Sequence, residues 1–304
     1  MANEISKLKQ KRTKEFLFFL SLVVLPVIQF LIFYVYVNFN SIVLAFRSYD
    51  LSTGIYEWIG FDNFVRAYKE FTVDGLALNC IKNSIVFYLF YAFFGVSLGL
   101  VFSYYIVKKK FASNFFKVLL FLPSIISVIV LVTVFKYFVD YAFPILYGKI
   151  TGERILGLIS TKKTAFATIV FYNIFAGFGS SVLLYSGAMT NISDSIYDYV
   201  KIDGASPFRE FVSIVVPLIF STLSTVILAG FTGLFLSDMA LFSFFGTNAE
   251  RYLWTFGYYF VRGEKLASLS EYPYLSSIGL VLTFVAIPLT LLLKKVLDKV
   301  NPLD

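Results

Sequence analysis

Long apolar stretches alternate with short polar ones along almost the whole chain of 304 residues. A helix that crosses the hydrocarbon core of a bilayer needs about 20 consecutive, mostly apolar residues, and six uncharged windows of roughly that length occur. The pattern predicts an all-α polytopic membrane protein with six transmembrane helices. The first window runs from residue 16 to just before residue 47. The other five are 85–107, 118–135, 165–191, 211–237 and 272–293.

The composition agrees with this prediction. Hydrophobic residues make up 58% of the chain, aromatic residues 20% and charged residues 15%, which is too apolar for a soluble domain. The first window follows a basic segment and continues past Pro26 without a small-residue cleavage site, so we interpret it as a retained anchor. Residues 1–15 are predicted to form an N-terminal segment and residues 16–304 a single transmembrane domain.

The basic residues predict the orientation of this domain. With six spans, the outer loops cover approximately residues 40–83, 136–164 and 237–275. Lys and Arg are about twice as dense on the opposite face, which the positive-inside rule makes cytoplasmic. Both termini and the polar loop at about 190–210 then lie in the cytoplasm. The formal charge of +7 is a topology signal on this interpretation, and four lysines are expected near anionic head groups: Lys108, Lys109, Lys110 and Lys117.

Several kinds of chemistry have no support in the sequence. There is no histidine, Cys80 is the single cysteine, and the Gly148-Lys149 pair lacks the other residues of a phosphate-binding loop. Zinc sites built on histidine, Ser-His catalysis and ATP binding at a P-loop are therefore not predicted. We expect no catalytic residue, no metal site and no cofactor bound by this chain.

The polar loop at 190–210 has the pattern of two short helices. Ser193 or Ser195 is placed to cap the first helix, Gly204 to supply the left-handed turn that ends it, and Ser206-Pro207 to begin the second. A loop that stays in water and keeps a fixed shape is suited to docking a soluble partner. The alternative is an ordinary turn between helices.

The spacing of this loop resembles the signature of binding-protein-dependent ABC import permeases. That signature has Glu-Ala-Ala, three residues, Gly, nine residues and Ile-x-Leu-Pro, and this chain departs from it where Tyr199 and Val200 replace the two alanines. Bulky residues there imply a wider groove in the partner or a rotated helix. The residues that the resemblance implies for coupling to an ATPase are Asp198, Tyr199, Val200, Ile202, Asp203, Gly204, Ala205, Ser206, Ile214 and Pro217.

Three further segments are similar to the MalF-like permeases of sugar importers: Leu25-Pro26, residues 59–64 and Leu122-Pro123-Ser124. The resemblance implies the type I (MetI-like) ABC importer fold, a bacterial plasma membrane location, and uptake of a carbohydrate such as an oligosaccharide or polysaccharide fragment. It also implies a second permease, two ATP-binding cassette subunits that use ATP and Mg, and an extracytoplasmic sugar-binding protein.

Polar and aromatic side chains inside the predicted spans are candidates for the sugar pathway, because uncompensated polar groups are disfavoured in lipid. Hydrogen bonding between helices is the alternative role for each of them. The small residues Gly95, Gly99 and Ser103 recur every four positions and favour close helix packing. The pathway candidates are Asn83, Tyr172, Asn173, Tyr185 and Ser186.

The loop at 238–273 is rich in aromatic residues, which favours an interfacial belt and a reentrant packing segment over a surface that receives sugar. These residues include Phe242, Phe244, Phe245, Trp254, Tyr258 and Tyr259. Two other functions stay open. One is an ABC permease for a non-sugar solute, which clustered charges in the cavity would favour, and the other is a stand-alone membrane protein, which would need a catalytic constellation.

Overall fold

The computed structural model describes residues 2–73 and 75–302 of the chain, with the side chains of 14–70, 72 and 75–302. Helices dominate these residues, and one antiparallel two-stranded hairpin accompanies them. Contacts divide the chain into two compact units. Residues 1–68 and 267–281 form the first, and residues 69–266 and 282–304 form the second. The prediction of a single domain over residues 16–304 stays a prediction.

The first unit begins with a long helix and continues with the hairpin. Its elements are α1 (Ala2–Gln29), a π-helical segment (Phe30–Tyr36), α2 (Val37–Leu44), β1 (Arg47–Asp50), β2 (Ile55–Trp58) and the start of α3 (Asp62–Val73). The strands pair with Arg47 opposite Trp58 and Asp50 opposite Ile55. The hairpin lies inside the predicted outer loop at 40–83.

Residues 59–64 connect this hairpin to α3. Gly60 adopts a left-handed conformation with φ of 64°. The buried side chain of Asn63 donates hydrogen bonds to the carbonyls of Ala45 (2.9 Å), just after α2, and Arg47 (2.8 Å), at the start of β1. The segment that resembles MalF-like permeases therefore has a local structural role here.

The second unit contains most of the remaining helices. They are α4 (Leu76–Phe90), α5 (Val96–Val107), α6 (Ser113–Ile125), α7 (Val128–Tyr137), α8 (Phe143–Thr151), α9 (Lys162–Thr190), α10 (Asp194–Ile202), α11 (Pro207–Glu210), α12 (Val216–Leu218), α13 (Phe220–Gly233), α14 (Leu241–Phe245) and α15 (Phe256–Leu266). The last helix, α16 (Tyr272–Val300), contributes to both units. Further π-helical segments are Tyr91–Gly95, Phe138–Ala142 and Phe211–Val215, and Arg251–Leu253 is a 3₁₀ turn.

Among the described residues, five helices are long and apolar enough to cross a membrane, and six if a bent pair counts as one. The pair is Pro207–Leu218 and Phe220–Gly233, which meet at 73°. The bend follows Pro217, whose ring removes a backbone donor from the helix. The predicted number of six spans is reached with this pair.

The third predicted span, 118–135, is wrong in its bounds. Helix α6 ends at Ile125, two residues after Pro123. Ile126 is extended, and Ser127 is also outside the helical conformation. The long membrane helix instead covers Val128–Thr151. Hydropathy is similar on both sides of the break, so apolarity alone did not reveal it.

The structural spans are also longer than the uncharged windows and contain charged side chains. Lys82 lies within Leu76–Val107, and Lys136 and Asp140 lie within Val128–Thr151. Lys136 donates to the carbonyl of Phe244 (3.2 Å), and Asp140 accepts from the backbone N–H of Ile159 (2.9 Å). The side chains of Lys136 and Asp140 are therefore hydrogen-bonded to backbone groups, which lowers the cost of placing them in a membrane helix.

Small residues bring the central helices of the second unit together. A Cβ on Gly99 would lie 3.1 Å from the ring of Tyr185, and the hydroxyl of Ser103 donates to the carbonyls of Gly99 (2.6 Å) and Val182 (3.0 Å). The predicted packing seam is confirmed at Gly99 and Ser103, where α5 packs on α9. Gly95 instead faces the ring of Tyr91 in its own helix.

Candidate functional site

The loop between α9 and α13 has the predicted helix–turn–helix form. Helix α10 ends in a Schellman motif. The N–H of Ala205 donates to the carbonyl of Val200 (3.2 Å), and the N–H of Gly204 to that of Lys201 (3.1 Å). Gly204 has φ of 67°, which supplies the left-handed turn expected from the sequence.

The starts of the two helices differ in their capping. Ser206 precedes α11, accepts from the N–H of Arg209 (3.3 Å) and is followed by Pro207 at the first helical position, as predicted. Ser193 occupies the N-cap of α10, but its side chain makes no capping bond. Its hydroxyl pairs with that of Ser195 (2.7 Å), so the expected side-chain cap is absent from this helix.

The loop presents an apolar surface, which we call the coupling patch: Tyr199, Ile202 and Phe208. Their exposed fractions are 69%, 80% and 75%. Val200 is 6% exposed and packs inward, so only the first of the two bulky residues that replace the alanines of the signature is exposed. Large exposed hydrophobic patches mark interaction sites.

The other residues of the predicted coupling set differ in exposure. Asp198 forms an exposed ion pair with Lys201 (3.1 Å). Asp203 is exposed, and Ile214 and Pro217 are half-buried at the start of the bent span. The structure thus brings the signature residues into one continuous segment, and their role in coupling stays a prediction.

A buried ion pair lies beneath this loop. The ammonium group of Lys108 contacts Oε1 of Glu210, and the two side chains are 19% and 7% exposed. The hydroxyl of Tyr104 donates to the same carboxylate oxygen (3.1 Å), and Lys108 Nζ lies 4.0 Å from the centre of the Tyr197 ring. Lys108 is thus paired within the protein, and its position near lipid head groups stays a prediction.

Tyr197 belongs to α10 and connects it to the preceding span. Its hydroxyl donates to the carbonyl of Met189 in the last turn of α9 (3.2 Å). Burial, followed by the negative charges of Glu210 and Asp194, raises the pKa of Tyr197. The phenol therefore remains a neutral donor at physiological pH. Sequence reasoning did not single out Glu210, whose partners lie about one hundred positions away.

The five candidates for the sugar pathway lie in the interior of the second unit. Asn83 donates to the carbonyls of Tyr252 (2.8 Å) and Trp254 (2.9 Å). Asn173 donates to those of Ile169 (2.8 Å) and Met239 (2.9 Å). These amide groups hold the loop at 238–273 against α4 and α9.

The other three candidates lie on α9. Ser186 donates to the carbonyl of Val182 (2.6 Å), and Tyr172 is 3% exposed between Phe135 and Phe244. Tyr185 is fully buried, and its hydroxyl has no hydrogen-bond partner among the described residues. A sugar-binding role for all five stays a prediction.

The aromatic loop packs into the core of the second unit. Phe244, Trp254 and Tyr258 are 4%, 6% and 0% exposed, and they belong to one cluster with residues of α7 and α9. Trp254 donates to the carbonyl of Ala249 (2.8 Å), and Tyr258 donates to that of Gly246 (2.9 Å). This geometry supports the packing interpretation of the loop.

Two open grooves flank the exposed ring of Phe171, with volumes of about 410 and 460 Å³. The first is lined mainly by α4, α5 and α9, and the second by α7 and α9. Apart from Tyr172, every lining side chain is a hydrocarbon. These surfaces suit lipid or another membrane helix and lack the polar groups that would bind a sugar.

A family model covers the segment that contains this loop. Residues 92–302 match the family described as binding-protein-dependent transport system inner membrane component. The chain belongs to this family. It is therefore a multi-pass inner membrane permease, and the family assignment expected from the loop spacing is confirmed.

Curated relatives of this permease are sugar-transport subunits. It is 23% identical over 205 residues to the multiple sugar-binding transport system permease protein MsmF of Streptococcus mutans. The match covers 67% of this chain and 69% of that protein. It is 24% identical over 225 residues to the diacetylchitobiose uptake system permease protein NgcF of Streptomyces coelicolor, covering 68% and 62%.

The match to the maltose/maltodextrin permease MalF of Escherichia coli K12 is 25% identical over 185 residues and covers 60% of this chain but 36% of MalF. Among solved structures, a bacterial ABC transporter that imports the acidic polysaccharide alginate aligns with a TM-score of 0.78 at 16% identity, over 96% of this permease and 99% of that chain. This likeness confirms the predicted all-α, MetI-like permease fold.

Proposed function

We propose that this permease forms half of the translocation pore of an ATP-driven ABC importer for carbohydrate, with an oligosaccharide or polysaccharide fragment as the solute. A second permease completes the pore. Two ATP-binding cassette subunits hydrolyse ATP with Mg in the cytoplasm, and an extracytoplasmic sugar-binding protein delivers the solute. This chain binds no ATP, carries out no catalysis itself, and has both termini in the cytoplasm.

The coupling patch is the observation that carries this proposal. Three large apolar side chains are more than two-thirds exposed on a loop whose backbone is fixed by a Schellman motif and by the Ser206 cap. Exposure of these apolar side chains to water costs free energy, and burial by a partner would recover it. A preformed helical patch also loses little conformational entropy on docking.

The link from the patch to transport is mechanical. Movement of an attached ATPase would displace α10, and α10 continues through Gly204 into α11 and the bent fifth span. ATP and the loaded binding protein drive the cycle only if each favours one conformation of the pore over the other. The solute class rests on the names of the relatives, which include systems for several sugars, maltodextrin and diacetylchitobiose.

The first test is purification of the tagged permease in mild detergent from its native host, with identification of the bound proteins by mass spectrometry. We expect a second permease and an ATP-binding cassette subunit. Recovery of the chain without an ATPase in every detergent would overturn the importer assignment. An Ile202→Ser variant, which makes the patch polar, should recover less ATPase while keeping the second permease.

The second test uses the recovered complex in proteoliposomes with its binding protein. ATP hydrolysis is measured with neutral oligosaccharides, acidic oligosaccharides, phosphate and a polyamine. We expect stimulation by an oligosaccharide. Stimulation by phosphate or the polyamine alone would retain the importer and overturn the carbohydrate assignment.

A further inference from the structure

Among the residues whose side chains the structure describes, Glu210 is the only buried charged residue, with 6% of its surface exposed. It lies at the end of α11, where the polar loop enters the bent fifth span. A buried carboxylate is costly unless it is paired and hydrogen-bonded. Its partners therefore indicate which parts of the fold are held together at this point.

Both partners come from the C-terminal end of α5, and one of them also contacts α10. Lys108 follows the last residue of α5 and contacts the carboxylate, and Tyr104, one turn earlier, donates to Oε1 (3.1 Å) and to the carbonyl of Pro207 (3.3 Å). Lys108 also lies over the ring of Tyr197 in α10 (4.0 Å). One ammonium group thus contacts both α10 and the start of the fifth span.

We propose that Tyr104, Lys108, Tyr197 and Glu210 form the rigid connection through which movement of α10 reaches α5 and the fifth span, with Lys108 and Glu210 as positioning residues for coupling. This inference rests on the proposed function. The coupling patch attaches the ATPase, whereas this cluster, on the opposite side of the loop, transmits its movement.

The physical reason is the stiffness of the contacts. A charge-assisted hydrogen bond and a cation–π contact share one cation, and both are shielded from water, so each is stronger than it would be at the surface. Sliding of α10 relative to α5 would separate Lys108 from the Tyr197 ring or from Glu210. The elements are therefore expected to move together.

The test compares single and double substitutions in the reconstituted importer. Lys108→Met and Glu210→Gln each leave one buried charged group without its ionic partner, so both should destabilise the protein. The double variant removes both charges together, so that neither is left unpaired, and it should recover most of the stability. Lys108→Arg keeps the charge and the contact with the ring and should retain coupling.

The double variant decides the proposal. We expect it to assemble with the ATPase and to unfold near the parent temperature, but to lose about tenfold in solute-stimulated ATP hydrolysis. A double variant that couples like the parent would show that the pair has only a structural role and would overturn the inference. Lys110→Met removes an exposed charge two residues after Lys108. This variant serves as the control and should couple normally.

The outcome is separate from that of the proposed function. If the unaltered permease binds no ATPase, the importer assignment fails and the connection fails with it. If the unaltered complex shows solute-stimulated hydrolysis and the double variant matches it, only the connection is overturned.

Discussion

Gly179 in α9 faces the backbone carbonyl of Leu120 in α6 so closely that a Cβ would overlap the carbonyl oxygen. Because the obstacle is backbone and not the end of a flexible side chain, helix α6 itself would have to shift. We expect Gly179→Ala to destabilise the protein by about 3 kcal/mol, at the upper end of overpacking effects. The measurement is the thermal unfolding temperature of the purified permease in detergent.

The same helix offers a matched control. Outside its own turns of α9, no atom of the described residues lies within 4 Å of where a Cβ on Gly187 would be, so Gly187→Ala meets open space. It should keep or slightly raise the unfolding temperature, because alanine favours a helix by about 1 kcal/mol over glycine. Equal destabilisation by both substitutions would contradict the close approach of α6 to α9 at Gly179.

Much of the fold was predictable because its largest signals are local. An uncharged run of membrane length predicts a span wherever it occurs, and the spacing around Gly204 predicts a turn because only a left-handed residue closes the Schellman motif. Pro123 was visible in the sequence, yet its consequence was missed. A proline can kink a helix or end it, and the similar apolarity before and after residue 126 did not distinguish the two.

The buried ion pair lay beyond such local patterns. Lys108 is the first of three consecutive lysines, and nothing in that run separates the buried side chain from its exposed neighbours. Its partner, Glu210, is distant in sequence, and the contact requires α5, α10 and α11 to meet. For the same reason the sequence did not establish which way Tyr199 and Val200 face.

The left-handed turn at Gly204 makes a prediction about coupling. A β-branched residue is strained at φ of 67°, at a cost of about 1–3 kcal/mol, whereas asparagine tolerates this region. We expect Gly204→Val to reduce solute-stimulated ATP hydrolysis by about tenfold and Gly204→Asn to retain most of it. Apart from the two neighbouring residues, no atom of the described residues lies within 4 Å of where a Cβ would be, so a clash with another element does not explain the difference. Equal losses in both variants would indicate a role other than backbone conformation.

The coupling patch predicts an effect on ATPase affinity. Ile202 is 80% exposed, so Ile202→Ser removes little packing within the permease. If the side chain is buried by the ATPase, the affinity should fall about tenfold, as for a central contact in an interface. Binding of purified ATPase to the permease in nanodiscs measures this directly.

Ile150 provides the control for Ile202. It is 84% exposed at the end of α8, on the face predicted to be extracytoplasmic. Ile150→Ser makes the same chemical change and should leave ATPase affinity unaltered. A similar loss from both variants would argue for a general effect on the protein in place of a docking contact.

Removal of the hydroxyl is predicted to have opposite effects on stability at Tyr185 and Tyr197. Both phenols are buried, but only that of Tyr197 has a hydrogen-bond partner among the described residues. Tyr185→Phe removes a hydroxyl that is desolvated without compensation, so the free energy of unfolding should rise by roughly 1 kcal/mol. Tyr197→Phe removes the hydrogen bond of the hydroxyl to the Met189 carbonyl, which still accepts from the N–H of Ile192 (3.3 Å), and should lower the free energy of unfolding by a similar amount. Thermal unfolding of both variants in the same detergent gives the comparison, and a loss of stability in Tyr185→Phe would contradict the unpaired hydroxyl. Uptake assays add a separate result, since a raised KM for the sugar in Tyr185→Phe would support its predicted place in the solute pathway.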